Sequence, residues 1–99
     1  MDDTTKTYLL TYSYVPDMAE RRQPHRADHL AHLRRAQDEG RLLVAAATVD
    51  PVDAAVLLVN ARSPGDVLAW VADDPYTRAG LIRGVVVREL AVAVAPWQM

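Results

Sequence analysis

Two runs of this sequence are apolar at every position, and they constrain its fold more than any other feature. Residues 56–59 read Val-Leu-Leu-Val and residues 85–87 read Val-Val-Val. Short apolar runs of this kind are typical of strands. Successive side chains of a strand point to opposite faces of its sheet, so both faces of a sheet that contains these runs must be covered. A chain of 99 residues has material for only one modest core.

Strands are predicted in four places, two of which contain these runs. At the start of the chain, β-branched and aromatic residues alternate with other residues, and Tyr8, Leu10, Tyr12 and Tyr14 fall on one side. A turn-rich link at residues 50–53 separates two further apolar segments, as in a hairpin. The four predicted strands are residues 7–15, 41–49, 54–60 and 84–94.

Helix start and stop signals fall between these strands. Pro24 suits the first turn of a helix, and Gly40 suits the residue just past a helix end. Ser63 before Pro64 provides a hydroxyl cap, with Asp66 in the first turn of the second helix. The predicted helices cover residues 24–39 and residues 64 to about 73, and a short helical turn is predicted over residues 77–82.

The resulting order, β-α-β-β-α-β, predicts an α+β fold of the ferredoxin-like type, formed by residues 1–99 as a single domain. Two helices cover only one face of the sheet, and a monomer rarely leaves a large apolar face in water. We therefore expect a homodimer in which two sheets form a dimeric α/β barrel of eight strands. Tyr8, Tyr12 and Tyr14 are expected on the sheet face that lines the interface or a pocket.

Charge and composition exclude several classes of function. The net charge of −2 leaves no general positive field, and acidic residues interrupt the basic cluster of residues 21–35, which we interpret as a solvated helix face rather than a nucleic-acid site. The chain has no cysteine, which excludes disulfides, thiolate nucleophiles and zinc–thiolate sites. No apolar run approaches the roughly 20 residues of a membrane span. The acidic first residues do not resemble a secretion signal, so we expect a cytoplasmic protein.

Three histidines are the first candidates for chemistry. His25, His29 and His32 lie at positions i, i+4 and i+7 of the first predicted helix, in one stripe that borders its apolar side. The first and last are ~10.5 Å apart along the helix, too far for one metal ion to bind both. No Cys, Asp or Glu in this stripe completes a set of ligands. The sequence favours solvated histidines or histidines at the edge of a pocket over a metal site.

A second candidate group is formed by Asp73, Asp74, Pro75 and Tyr76, just past the second predicted helix. Adjacent carboxylates at a helix C-terminus repel each other and the helix dipole. Proline restricts Asp74 to an extended backbone, which fixes the direction of its side chain. On these residues alone, a helix-terminating turn with solvated acids is favoured over a functional site.

Both groups carry a resemblance to the YCII (YciI-like) family. Residues 26–33 (Arg-Ala-Asp-His-Leu-Ala-His-Leu) and 38–43 (Asp-Glu-Gly-Arg-Leu-Leu) resemble the arginine, histidine-leucine and glycine signature of that family. Residues 74–76 (Asp-Pro-Tyr), followed by Ala-Gly-Leu, resemble its Asp-Pro-aromatic segment. Tyr8 stands at a spacing similar to that of a family tyrosine. The chain departs from the family at residues 45–47, which are three alanines where members usually carry Ala-Gly-Pro.

The resemblance implies a dimeric α/β barrel with a catalytic pair, His29 and Asp74, in a pocket whose substrate-binding residues are Tyr8, Arg26 and Tyr76. It implies acid–base chemistry without a cofactor or metal: elimination, isomerisation or a lyase-like reaction on a small organic molecule. A non-catalytic protein that binds a small ligand is the alternative, since His29 and Asp74 would then only form hydrogen bonds with that ligand or with each other. The sequence leaves both functions open.

Overall fold

Strands and helices follow the predicted order in the computed structural model, which describes residues 5–97, with two short additions before the first long helix. The strands are β1 (Lys6–Tyr14), β2 (Leu42–Ala47), β3 (Ala54–Ala61) and β4 (Ile82–Leu90). The helices are α1 (Met18–Arg21), α2 (Arg26–Asp38), α3 (Pro64–Ala72) and α4 (Pro75–Arg78), and a 3₁₀ turn (Gln23–His25) precedes α2. Among these residues, every helix is too short or too polar to span a lipid bilayer.

One antiparallel sheet joins the strands in the order β2-β3-β1-β4. The two strands that follow the helices, β2 and β4, therefore lie at the edges, and β1 pairs with both β3 and β4 at the centre. This order confirms the prediction of an α+β, ferredoxin-like fold. Side chains at the centre of β1 are therefore the ones best placed to contact most of the core.

β1 buries every second side chain under the helices. Tyr8, Leu10, Tyr12 and Tyr14 are all buried, and Tyr14 contacts the ring of Tyr76 on α4. We expected Tyr8, Tyr12 and Tyr14 to line an interface or a pocket, and the interface alternative is wrong because the register turns these side chains toward the helices. Leu57, Val59, Val67, Trp70, Val71 and Leu81 are among the other buried residues of this core.

The opposite face of the sheet is apolar and open. Thr11 lies opposite Val56 of β3 and Val86 of β4, and the two valines are 41% and 58% exposed. Val44 of β2 pairs with Leu58 and lies on the same face, also exposed. In the single chain, the helices thus cover one face of the two apolar runs and leave the other face exposed.

Helix boundaries agree with the predicted signals at three ends and differ at one. Ser63 caps α3 and accepts a hydrogen bond from the backbone N–H of Asp66 at 3.1 Å, and Gly40 has a φ of 77° just past α2. Pro24 lies in the 3₁₀ turn rather than in the first turn of the α-helix, which begins at Arg26. The turn α1 was not predicted, because four residues give no detectable periodicity.

Two predicted elements near the C-terminus were misplaced. The helical turn predicted over residues 77–82 lies at Pro75–Arg78, because Asp74 caps it and Pro75 provides its first residue. The last strand, predicted over residues 84–94, runs from Ile82 to Leu90. Its last residue, Leu90, pairs with Thr7, the second residue of β1, so the strand ends close to where β1 begins.

Candidate active site

His29 and Asp74, 45 positions apart in the sequence, meet where α2 borders the start of α4. The Nδ1 atom of His29 lies 2.8 Å from Oδ1 of Asp74. The two residues are 5% and 0% exposed, respectively. A pair this close and this buried is a strong interaction, because little water is present to screen it.

Local structure fixes the position of Asp74. Its backbone is extended, with φ −65° and ψ 128°, as the proline that follows requires. Its Oδ1 atom accepts a hydrogen bond from the backbone N–H of Tyr76 at 2.9 Å and so caps α4. The same carboxylate oxygen thus caps the helix and contacts His29, which leaves the side chain little freedom.

Tyr76 fixes the ring of His29 from the other side. The two rings are stacked with their centroids 3.6 Å apart and their planes 6° apart. The Tyr76 hydroxyl accepts a hydrogen bond from Nη1 of Arg26 at 3.2 Å, one turn before His29 on α2. Three of the residues predicted for the site, besides His29 itself, are therefore in one connected cluster: Arg26, Asp74 and Tyr76.

This geometry selects one tautomer of His29. An ionised carboxylate only accepts hydrogen bonds, so the proton of a neutral ring lies on Nδ1 and is donated to Asp74. The Nε2 atom then carries a lone pair, and it has no hydrogen-bond partner among residues 5–97. An imidazole held in this way is suited to take a proton at Nε2.

His29 lines a small cavity of about 100 Å³ between α2 and the β2 side of the sheet. At ~30 Å³ per molecule, the cavity has room for about three water molecules, or for one end of a ligand. Its polar lining consists of Tyr12, Tyr14, Arg22, Arg26 and His29, and its apolar lining consists of Leu30, Leu33, Ala45, Ala46, Ala47, Ala55 and Leu57. The three alanines of β2 that depart from the family pattern are thus part of its wall.

The two tyrosines of this cavity keep their protons at neutral pH. Burial, together with electrostatic interactions with Tyr76 and Asp74, raises the pKa of Tyr14 to about 12, although Arg22 and Arg26 act in the opposite direction. Burial and the charge of Asp74 raise the pKa of Tyr12 further. Both hydroxyls are consequently hydrogen-bond donors in this site and not phenolates.

Tyr8 and the other two histidines lie outside this cluster. Tyr8 is buried in the core, opposite Val59 and Glu89, and lines none of the cavities described in residues 5–97. His25 is half-buried at the end of the 3₁₀ turn. Within that range, the side chains of His, Cys, Asp and Glu form no group of three that could hold a metal ion.

His32 belongs to a different and larger space, a half-open groove of about 920 Å³ between α2 and α3. Its ring is stacked on Trp70, with centroids 4.8 Å apart. Burial lowers the pKa of His32, and the nearby Asp74 opposes this effect only in part. Volume alone would favour this groove as the site, but neither His29 nor Asp74 lines it. We therefore assign the chemistry to the smaller cavity.

Sequence reasoning missed Arg22. The cluster of arginines around it was interpreted as a solvated helix face, yet Arg22 and Arg26 are half-buried and line the cavity. Arg22 is the C-cap residue just past α1, the turn that no pattern predicted. The only available signal was the position of these two arginines, four residues apart and before the motif histidine.

Comparison with known proteins supports the assignment to a family. The profile of the YCII-related domain matches residues 7–91, nearly the whole chain. The chain belongs to the YCII-related domain family. This confirms the resemblance inferred from the two motifs, both of which lie within the matched range.

One known protein is similar to this chain in sequence, and several solved structures are similar to it in fold, in each case over most of their length. An uncharacterised protein of Haemophilus influenzae is 29% identical over 90 residues, which are 82% of this chain and 92% of that protein. The structure of 5-chloro-2-hydroxyhydroquinone dehydrochlorinase from Burkholderia phenoliruptrix, in complex with 2,5-dihydroxybenzoquinone, superimposes with a TM-score of 0.76 at 23% identity, covering 88% and 95% of the two chains. A putative antibiotic biosynthesis monooxygenase from Bacteroides thetaiotaomicron gives a TM-score of 0.60 at 12% identity, covering 96% and 95%.

Proposed function

We propose that this YCII-related domain is a small-molecule enzyme in which His29 is the general base and Asp74 orients and stabilises it. The observation that carries the proposal is the buried pair, with Nδ1 of His29 2.8 Å from Asp74 and the ring lining a cavity. A neutral imidazole is the side chain best suited to take and return a proton near pH 7. The reaction class we propose is an elimination, isomerisation or lyase-like reaction.

The proton balance of such a reaction is complete within the site. A bond from hydrogen to carbon or oxygen of the substrate breaks, the proton moves to Nε2 of His29, and the electron pair stays on the substrate. The positive ring that forms is stabilised by Asp74 through the hydrogen bond at Nδ1. His29 then returns the proton to a leaving group or to another atom of the substrate, so the step requires no cofactor.

One structural relative supports the class of substrate. The dehydrochlorinase from B. phenoliruptrix was solved with 2,5-dihydroxybenzoquinone, a small ring that carries several oxygens. Loss of hydrogen chloride from an organic molecule needs a base to remove the proton. We propose a substrate of comparable chemistry, a small organic molecule with an acidic proton, which Arg26 and Tyr76 help to bind.

Turnover by substituted proteins tests this function. A panel of small oxygen-rich organic compounds, beginning with 5-chloro-2-hydroxyhydroquinone, is incubated with the parent protein and its variants, and products are quantified by liquid chromatography and mass spectrometry. His29→Gln is expected to lower kcat/KM by about 100-fold or more, as for loss of a general base. Asp74→Asn keeps an oxygen to cap α4 but loses the negative charge, so it is also expected to be impaired. His25→Gln, outside the cluster, is the matched control.

Two results would contradict the proposed function. Equal turnover by His29→Gln and the parent would show that His29 is not the general base. Tight binding of a panel member without conversion would instead favour the alternative, a non-catalytic protein that binds a small ligand. Calorimetry on the same panel measures that binding directly.

We also propose that the chain acts as a homodimer, paired through the open sheet face. That face carries Val44, Val56 and Val86, which are all at least 41% exposed in the single chain. Soluble monomers seldom expose a contiguous apolar surface of this kind, and a second copy has a matching one. A cytoplasmic location stays a prediction from the sequence.

A further inference from the structure

Two buried hydrogen-bond donors without a partner belong to residues that line the His29 cavity. The hydroxyl of Tyr12 and the Nε atom of Arg22 are inaccessible to solvent and form no hydrogen bond within residues 5–97. Both residues line the same cavity as His29, and Tyr12 is 0% exposed. Buried polar groups in native proteins are nearly always paired, so two orphans in one cavity require an explanation.

The polar lining of the cavity is strongly unequal in donors and acceptors. The two arginines only donate hydrogen bonds, and an arginine stays charged at every accessible pH. The hydroxyl of Tyr12 is also available as a donor, because burial and the charge of Asp74 raise its pKa. Besides the tyrosine hydroxyl oxygens, the acceptor among these groups is Nε2 of His29, which is free because Nδ1 faces Asp74. A complementary ligand therefore presents an acceptor oxygen to the donors and a proton to His29.

We propose that Tyr12 and Arg22 bind the oxygen atom on which negative charge develops when His29 removes a proton. The inference rests on the proposed function and names its substrate class: a small carbonyl or phenolic compound whose acidic proton is conjugated to that oxygen. The C–H or O–H bond breaks, the proton moves to Nε2, and the electron pair moves onto the oxygen. Donors fixed in advance around such an oxygen stabilise the transition state, because they do not need to reorganise. No oxidant or reductant takes part.

A structural role for Tyr12 is the competing explanation. The Oδ2 atom of Asp74 is also buried and without a partner, and the charge of Asp74 acts on Tyr12. A small rotation that brings the Tyr12 hydroxyl to Oδ2 would make it a support for the His29–Asp74 pair. Asp74 does not line the cavity, whereas Tyr12 does, and this favours the ligand-binding role.

Calorimetric titration with 2,5-dihydroxybenzoquinone, whose ring oxygens share negative charge once its hydroxyls ionise, tests the proposal. We expect Tyr12→Phe and Arg22→Met each to weaken binding by about tenfold or more, as for loss of a hydrogen bond to a charged group. Arg21→Met is the matched control, because Arg21 is exposed and lines no cavity described here. This substitution removes the same charge from the adjacent position, and the variant is expected to bind the probe with the affinity of the parent.

The nitrogen chemical shifts of the His29 ring, measured without ligand, separate the two roles of Tyr12. They are expected to be unchanged in Tyr12→Phe, and a change of tautomer would show that the hydroxyl supports Asp74. Unchanged affinity in both variants, or failure of the parent to bind the probe at millimolar concentration, would overturn the oxygen site. A third outcome is that affinity depends on Tyr12 and Arg22 while turnover is the same with and without His29. This result would support the oxygen site and show that His29 is not the general base.

Discussion

A single oxygen atom, Oδ1 of Asp74, joins the local structure of the chain to its candidate chemistry. It accepts from the backbone N–H of Tyr76 and lies 2.8 Å from the His29 ring. A loss of the carboxylate therefore removes a helix cap and an ion-pair partner together. Asparagine is the substitution that separates these effects, because it keeps an oxygen and loses only the charge.

His32 is predicted to make stability depend on pH. Burial lowers the pKa of His32 in the folded state, whereas an imidazole in the unfolded chain titrates at about 6.5. The unfolded state therefore binds the proton first as pH falls. The free energy of unfolding contributed by this residue is full above the unfolded pKa and decreases as the pH falls toward the folded one. His32→Gln should flatten the decrease in the free energy of unfolding as the pH falls below about 6.5.

Urea unfolding followed by circular dichroism measures this dependence. His25→Gln is the matched control, because it removes a half-buried imidazole that has no aromatic ring stacked on it. An identical pH dependence in His32→Gln and the parent protein would contradict the prediction. Asp73 and Arg35 also act on His32, in opposite directions, so both are kept in every variant.

The elements depend on caps and on pairing partners more than on periodicity. The hydroxyl of Ser63 accepts from the backbone N–H of Asp66 and lies far in sequence from the motif residues. Ser63→Ala should lower the free energy of unfolding by about 1 kcal/mol, the usual value of a lost N-cap, because one backbone donor of α3 loses its partner. Ser63→Asp, which restores an acceptor, should recover most of the loss in the same urea titration. If Ser63→Ala leaves the free energy of unfolding unchanged, α3 is held by its apolar face alone.

Sequence patterns predicted the elements that carry strong signals. The alternation of β1, the cap at Ser63 and the glycine past α2 depend only on neighbouring residues, and each was located. The end of β4 depends on where β1 begins, which no local pattern records. For the same reason, the two motifs identified His29, Asp74, Arg26 and Tyr76, whereas Arg22 required the three-dimensional path of α1. Tyr12 was noted on its strand, but its role depends on a register that the sequence leaves open.

At the scale of the whole molecule, the open sheet face makes assembly testable. Val56→Glu places a charge at the centre of that face and should convert a dimer into a folded monomer, because an unpaired charge is costly to bury. Leu68→Glu, an equally exposed leucine on α3, is the matched control and should leave the dimer intact. Sedimentation equilibrium at micromolar concentration measures both masses. A folded parent protein with the mass of one chain would contradict the proposed dimer.

The alternation of β1 has a consequence for how this chain diverges. Its even-numbered residues lie under the helices, where Tyr12 and Tyr14 line the candidate cavity, and its odd-numbered residues, such as Thr11, lie on the open face. Selection for a new substrate acts on one set, and selection for a new partner acts on the other. In the proposed dimer, duplicated genes with this strand would therefore be free to become incompatible in pairing while their pockets stay alike. The reverse path, retained pairing with altered pockets, would produce mixed dimers with two different specificities.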